Sequence, residues 1–491
     1  MDLAPVIQRH AQISPAKLAL HHEGRDITYA ELWQRIENAN AVLQAAGVRA
    51  GDRVAWLGLN HPDLLVLLFA LARIGAILLP LNYRLAAPEH AAILAHAGVS
   101  LLVADPMHEA AAAALAEQAG CTFLQASRLA GPPSAGASAA LEGGADSPVL
   151  LVYTSGTSGQ PKGVLHTQSG LVWNCVISTH AHDLVADDHV LSALPMFHVG
   201  GLCIQTLPAL YAGAAVTLHG RFDAGAWLAD VAARRPTLSL LVPATLRAVI
   251  EHPAFAGTDL SSLRMLATGS STIPSSMIAA FHRRGVPVGQ VYGATETGPV
   301  SIYLRREEAM QRAGSAGRAG LHIDIRLADE QGQSVPAGEV GEVWVRGPNL
   351  LCGYWKDPGN PAFADGWFHT GDLARCDDQG FYEIVGRSRD MIISGGENVY
   401  PAEIENLLVD CPLVAEAAVV GETDVRWGEV VVAVVVRAPG ATLDAAGVMQ
   451  LFDGKLARFK HPKRIVFCDV LPKTALGKVQ KAGLLASLAT Q

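Results

Sequence analysis

Short apolar runs alternate with longer helix-compatible stretches through most of the first 320 residues, and this alternation constrains the fold more than any other feature. Residues 149–153, 190–194, 215–218, 238–242, 265–267 and 288–292 are each brief and mostly apolar, the pattern of strands covered on both faces. Strands separated by helices predict an α/β sheet. The stretch 64–81 is the longest greasy one, but Arg73 interrupts it. It reads as a buried helix running into a strand, with no transmembrane segment. Beyond about residue 321 the pattern changes. Val343-Trp344-Val345-Arg346 alternates and is fenced by Gly341 and Gly347, as antiparallel strands of a small barrel-like part do. Pro401 stands where a helix would begin, with Glu403 and Glu405 in its first turns and Ile404, Leu407 and Leu408 on one face. A strand pair at 417–420 and 430–436 follows. The chain of 491 residues is too long for one ordinary core. A boundary near residues 387–390 divides it into a large N-terminal domain, 1–388, and a small α+β C-terminal domain, 389–491.

Residues 153–163, Tyr-Thr-Ser-Gly-Thr-Ser-Gly-Gln-Pro-Lys-Gly, close one of the predicted strands. Gly156, Gly159 and Gly163 let the backbone turn several N–H groups toward one anion. Thr154, Ser155, Thr157 and Ser158 add hydroxyls and Lys162 a positive charge, making a phosphate-gripping loop. It lacks the Gly-Lys-Ser/Thr ending of the P-loop, so an ordinary P-loop NTPase is disfavoured. A flexible surface loop is the simpler alternative for this segment alone.

Four further clusters bear on the same chemistry. Tyr292-Gly293-Ala294-Thr295-Glu296-Thr297-Gly298 follows a predicted strand at its carboxyl end, where α/β sheets bind ligands. An aromatic there can stack on a base, and Glu296 can hold Mg²⁺, which takes carboxylates plus substrate phosphates, with Thr295 beside it as a phosphate hydroxyl. A β-turn whose acid is merely solvated is the plainer alternative. In Trp367-Phe368-His369-Thr370-Gly371-Asp372, Asp372 can accept from both hydroxyls of a ribose, although a Gly-Asp turn by itself is more often structural. The run from Gly386 to Glu405 places Arg387 within reach of phosphate or ribose oxygens and then two glycines, Gly395 and Gly396, at a domain boundary. Lys478 lies beside Gly477 near the end of the chain, in a region (455–481) with eight Lys or Arg against one acid, Asp469. In a chain of net charge −9 that asymmetry suggests a polyanionic ligand, with a solvated face as the plainer reading. The same net charge argues against a nucleic-acid partner. Seven cysteines form no CxxC pair, so neither a disulfide framework nor a zinc site is indicated and a reducing cytoplasm fits. No basic-apolar leader opens the sequence.

Taken together, residues 154–163, 292–298, 370–372, 386–405 and 472–478, in this order and across nearly the whole chain, resemble the motifs of the adenylate-forming superfamily. The stretch around Ser394-Gly395-Gly396-Glu397-Asn398 resembles bacterial acyl-CoA and aryl-CoA ligases for fatty, chlorobenzoic and ferulic acids. The resemblance implies two steps: a carboxylate attacks the α-phosphate of ATP to give an acyl-adenylate and pyrophosphate, and CoA then displaces AMP. It implies Lys478 as the catalytic lysine, Lys162 as a helper on the pyrophosphate, and Glu296 and Thr154 as Mg²⁺ ligands. It also implies a mobile C-terminal domain that turns about Arg389. Gly269, Ser270 and Ser271 would flank the adenine together with Tyr292, Gly293, Ala294 and Thr295. His198, in Pro195-Met196-Phe197-His198-Val199-Gly200-Gly201, matches the family's aromatic-histidine motif at the acyl pocket, where Gly200 and Gly201 leave room. Thr245, Gly298, Pro299 and Val300 would complete the wall. These segments contain no Lys or Arg to pair with a second carboxylate, so the expected substrate is a monocarboxylic acid. Gly395 and Gly396 would line the pantetheine path, and Arg84, Trp427, Phe459, Lys463 and Arg464 would meet CoA. His282-Arg283-Arg284 offers peripheral membrane contact, with an ordinary basic helix end the better reading. The partners are then small molecules and the chain a monomer or homodimer. A stand-alone loader of carrier-protein thiols, which the Phe222-Asp223-Ala224 sequence also fits, and a non-catalytic nucleotide sensor are the alternatives.

Overall fold

The computed structural model describes residues 1–130, 142–154, 162–270, 273–394, 397–424, 427–473 and 479–488. Among them the strands assemble into four sheets. The nine-stranded sheet contains, side by side, Val288–Tyr292, Met265–Gly269, Leu238–Leu241, His189–Ser192, Ala215–Leu218 and Leu18–His22, all parallel. The alternating pattern therefore gives strands at each expected place, within two residues. Antiparallel strands close the sheet at both edges.

The seven-stranded sheet carries Pro148–Thr154 beside Ile77–Leu81. The 64–81 stretch divides as expected, into a helix at Pro62–Ile74 and that strand. His61 caps the helix by accepting from the Asp63 N–H, Gly75 ends it at φ 84°, and its side chains are buried all round except at Arg73. Such a helix is held by tertiary packing rather than by propensity, at about 1.5–3 kcal/mol for each large side chain removed from water. Arg73 itself stacks its guanidinium over Trp33 at 4.7 Å, so its charged end meets an aromatic face and not lipid. No helix among the described residues is long and apolar enough to cross a membrane.

The change of pattern after residue 321 corresponds to a five-stranded antiparallel sheet of Asp324–Ala328, Val340–Arg346, Phe363–Ala364, Trp367–Cys376 and Tyr382–Arg387. The fourth sheet belongs to the smaller C-terminal domain. There Pro401–Val409 is helical and Val414–Asp424 pairs antiparallel with Gly428–Arg437, while Arg464–Phe467 adds a parallel strand. Its own apolar core, centred on Ile404, Leu408, Val419, Val431 and Phe452, satisfies the requirement for an independent domain.

Ala126–Ala130 is a 3₁₀ turn with Leu129 buried, and Gly143 donates to the Arg73 carbonyl. At Arg284 the reading of an ordinary basic helix end holds. The side chain donates to the carbonyls of Phe255 and Thr258 and lies 5.4 Å over the Phe255 ring.

Candidate active site

The Val288–Tyr292 strand delivers Tyr292 to the carboxyl edge of the nine-stranded sheet, and the chain then turns back over Gly293. A Cβ on Gly293 would fall 1.7 Å from the Pro299 carbonyl oxygen, so only glycine permits this return. Thr297 closes the same turn by accepting from the Ala294 N–H at 2.9 Å. Glu296 is thereby lifted, half-buried, above the strand end.

Asp372 lies within the long strand Trp367–Cys376, not in a free turn. Its strand neighbour is Arg387, whose Nε is 2.9 Å from Oδ1, while the Tyr292 hydroxyl donates to Oδ2 at 2.9 Å. Burial, with the Asp372 charge adding to it, holds the Tyr292 phenol well above its usual pKa, so it stays protonated and donates. A carboxylate has about four acceptor positions, which leaves Asp372 able to accept from a diol as well. Thr370 positions it from below by accepting from the Asp372 N–H and donating to the Val343 carbonyl.

The phosphate loop hangs between Pro148–Thr154 and Lys162–Thr167, an antiparallel pair with Thr154 opposite Lys162. Ser155, Gly156, Thr157, Ser158 and Gly159 lie outside the described residues, as do Ser271, Gly395, Gly396 and Lys478. The root of the loop is fixed. The Tyr153 hydroxyl bonds His96 Nδ1 at 2.6 Å, and the Lys162 Nζ lies 5.6 Å from the Tyr354 ring centroid. Tyr354 in turn donates to Glu296 Oε1 at 3.1 Å. Contacts therefore run from Lys162 through Tyr354 to Glu296, one turn away from the Tyr292–Asp372–Arg387 group. Tyr354 is the residue that sequence reasoning missed, because Gly353-Tyr354-Trp355 carries no charged or metal-ligating side chain to flag it.

Gly269 ends its strand, and Ser270 follows in the left-handed region at φ 77°, a conformation that serine holds only where the surroundings impose it. Among the described residues no cluster of three His, Cys, Asp or Glu could cage a metal. A single carboxylate at Glu296 fits Mg²⁺, which keeps its waters and completes its shell with substrate phosphates.

Around the acyl segment, Phe197 is buried against Tyr83, rings 5.4 Å apart and edge-on, and the Arg84 guanidinium lies 5.9 Å over it. His198 follows, half-buried, its ring 4.3 Å from that of Phe197. Arg84 thus sits beside the aromatic-histidine motif in the large domain, apart from the other residues expected at CoA. Gly200 faces open space, as expected. Gly201 does not: a Cβ there would lie 2.3 Å from the Pro195 carbonyl oxygen, so it serves close backbone approach and leaves no room for substrate. Thr245 uses its hydroxyl on both the N–H and the carbonyl of Val242, which starts its helix. Gly298, Pro299, Val199 and Val300 are buried, with Val300 in one apolar cluster with Leu194, Ile204 and Leu240.

In the C-terminal domain, Lys463 Nζ lies 5.5 Å over the Trp427 ring, and Phe459 is exposed with Lys460 Nζ 5.8 Å from its ring. Arg464 is already engaged by both oxygens of Glu422, at 2.7 and 3.0 Å, so an incoming phosphate has to compete for it. Arg389 occupies a short 3₁₀ turn, 3.6 Å from Asp390.

Residues 7–355 match the family model of the AMP-binding enzymes, and residues 403–478 match that of the AMP-binding enzyme C-terminal domain. The chain is 48% identical to an indoleacetate–CoA ligase of Aromatoleum aromaticum over 98% of its own length and 97% of that protein. It is 44% identical to a feruloyl-CoA synthase of Amycolatopsis over 96% of each. The crystal structure of ATP-bound MatB from Rhodopseudomonas palustris superimposes with a TM-score of 0.91 at 33% identity, covering 99% of each chain. With the family model spanning the large domain and its companion the small one, the chain belongs to the AMP-binding enzymes, the adenylate-forming superfamily.

Proposed function

We propose that this chain is an ATP-dependent acid–CoA ligase acting on a monocarboxylic acid with an aromatic or otherwise apolar body. The observation that carries the reading is the line of contacts joining Lys162, Tyr354 and Glu296 to the neighbouring Tyr292–Asp372–Arg387 group at one sheet edge. It brings together cations, a metal-competent carboxylate and a diol acceptor.

Asp372 accepts from the ribose hydroxyls and Tyr292 presents its face to adenine, beside Gly269, Ser270 and Ser271. Thr154, Lys162 and the loop they flank hold the β- and γ-phosphates. The acid's carboxylate oxygen bonds to the α-phosphorus as the bond to the pyrophosphate oxygen breaks. Mg²⁺, when bound, neutralises charge on the phosphates. Two anions meet in this step, so preorganised cations lower its barrier most. Lys478, supplied by the C-terminal domain, is assigned that role. The CoA thiol then displaces AMP, releasing its proton to solvent. At an ordinary thiol pKa of about 8.5 a fraction is already ionised near neutrality, so positioning suffices.

The domain boundary is placed at residues 388 and 389, with Arg389 as hinge. Gly395, Gly396, Trp427, Phe459 and Lys463 would serve CoA in the turned state, with Arg84 approaching from the large domain. The wall residues Phe197, Val199, Gly298, Pro299 and Val300 are uncharged, and this favours one carboxylate over two. The names of the indoleacetate and feruloyl relatives point to an aryl acid. Seven free cysteines suit a reducing, cytoplasmic setting.

A carboxylic-acid panel read by pyrophosphate release tests the proposal. Pyrophosphate is expected with an aryl acid alone, and AMP release only after CoA is added. Lys478→Ala should slow adenylation by about 10²–10³-fold while sparing thioester formation from supplied acyl-adenylate. Adenylation unaffected by Lys478→Ala would overturn the mechanism.

A further inference from the structure

One short segment holds Glu296 at two points, its backbone carbonyl and its carboxylate, and the strand at the root of the phosphate loop at three more. Leu351 donates its N–H to the Glu296 carbonyl at 2.8 Å, and Tyr354 donates its hydroxyl to Glu296 Oε1 at 3.1 Å. The same segment pairs Gly353 with Leu165 and Tyr354 with Val164, and Trp355 donates its N–H to the Gly163 carbonyl at 2.7 Å. The Tyr354 ring also lies under the Lys162 ammonium. A carboxylate on a short 3₁₀ turn has free rotamers, and Mg²⁺ tolerates little deviation from octahedral geometry. A donor on one oxygen of Glu296 fixes the rotamer while leaving acceptor capacity for a cation.

From this geometry we propose that Tyr354 is a positioning residue for Glu296, which sets the affinity of the site for the divalent cation that accompanies ATP and ties that carboxylate to the strand from which Lys162 projects. The proposal rests on the ligase reading for its reaction but not for its binding test.

Tyr354→Phe removes the hydroxyl while keeping the ring beneath Lys162 and the cross-strand packing on Val164. The Mg²⁺ concentration giving half-maximal pyrophosphate release is expected to rise about tenfold, within the 10–100-fold span of outer-shell partners. Turnover at saturating Mg²⁺ should stay within about twofold, and the half-saturating concentrations of acid and CoA should not move. General damage to the fold would raise all of them together and would count against the proposal. Independently of turnover, Mn²⁺ titrated into the protein with a non-hydrolysable ATP analogue and followed by electron paramagnetic resonance should bind about tenfold more weakly to the variant. Unchanged or tighter Mn²⁺ binding overturns the proposal, the latter because it would make Tyr354 a competitor of the cation. A wild-type protein that releases no pyrophosphate with any acid sinks the ligase reading, and the Mn²⁺ comparison then still decides the role of Tyr354.

Discussion

At the residue scale, Asp372 joins the interests of three groups: a buried phenol, an arginine and, in the proposed function, a ribose. Asp372→Ala would leave the Tyr292 hydroxyl buried without its acceptor and Arg387 without its counter-charge. Hydrogen bonds to a charged group contribute about 1.5–3 kcal/mol, so half-saturation by ATP should rise about 10–100-fold in a pyrophosphate-release assay. Asp372→Asn, which keeps an acceptor but not the charge, should fall between that variant and the wild type. A second prediction concerns His182. It is fully buried, with Nδ1 bonded to the Ser178 carbonyl at 2.9 Å, and burial pushes its pKa down to about 4. The unfolded chain takes up the proton at about 6.5. The native state therefore binds fewer protons between these values, and stability present above pH 6.5 is lost as pH falls toward 4. Thermal midpoints measured from pH 7 to 4.5 should decline, and His182→Gln should flatten part of the slope. Asp372 and Glu296 were legible in the sequence because a lone carboxylate stands out in a run of glycine, threonine and aromatic residues. Tyr354 was not, because a tyrosine declares a hydrogen bond only when its partner is known.

At the element scale, the turn that presents Glu296 depends on a backbone approach closer than any side chain permits. Gly293→Ala places a methyl against the Pro299 carbonyl and should cost about 1–3 kcal/mol as overpacking does, seen as a thermal midpoint lower by about 3–10 °C. The ATP requirement should rise with it, because Glu296 moves with the turn. Strands at 215–218 and 288–292 could be read to the residue, since apolar runs between helices have one stable arrangement. The Asp372 segment was harder. Thr370-Gly371-Asp372 looks like a turn, and inside the strand it forms a bulge: Val340–Arg346 pairs with His369 and Leu373 but skips the three residues between, Gly371 takes φ 69°, and Asp372 pairs with Arg387 on the other side. The local preference of glycine is kept, and pairing on either side builds the turn into a strand.

At the scale of the whole molecule, Glu403 joins the two domains. It accepts from Arg375 of the large domain at 3.1 Å and from Lys460 of the small one at 2.5 Å, while Ser275 donates across the same divide to Asp410. Glu403→Gln keeps the volume, removes the charge and leaves two cations facing each other. At about 1 kcal/mol for a partly screened pair, limited proteolysis around residues 388–390 should speed up about fivefold, and high salt should produce the same change in the wild type. By itself the sequence determined the α/β class, the order of the strands along the chain, the two-domain division and the residue types that phosphate, ribose and metal require. These follow from local periodicity and side-chain chemistry, which the chain carries wherever it goes. Only the tertiary structure decided that Tyr354 meets Glu296, that Gly201 is closed while Gly200 is open, that Arg464 is taken by Glu422, and that Arg84 lies on Phe197. Those are contacts between residues distant along the chain or fits between backbone segments, and packing alone selects them.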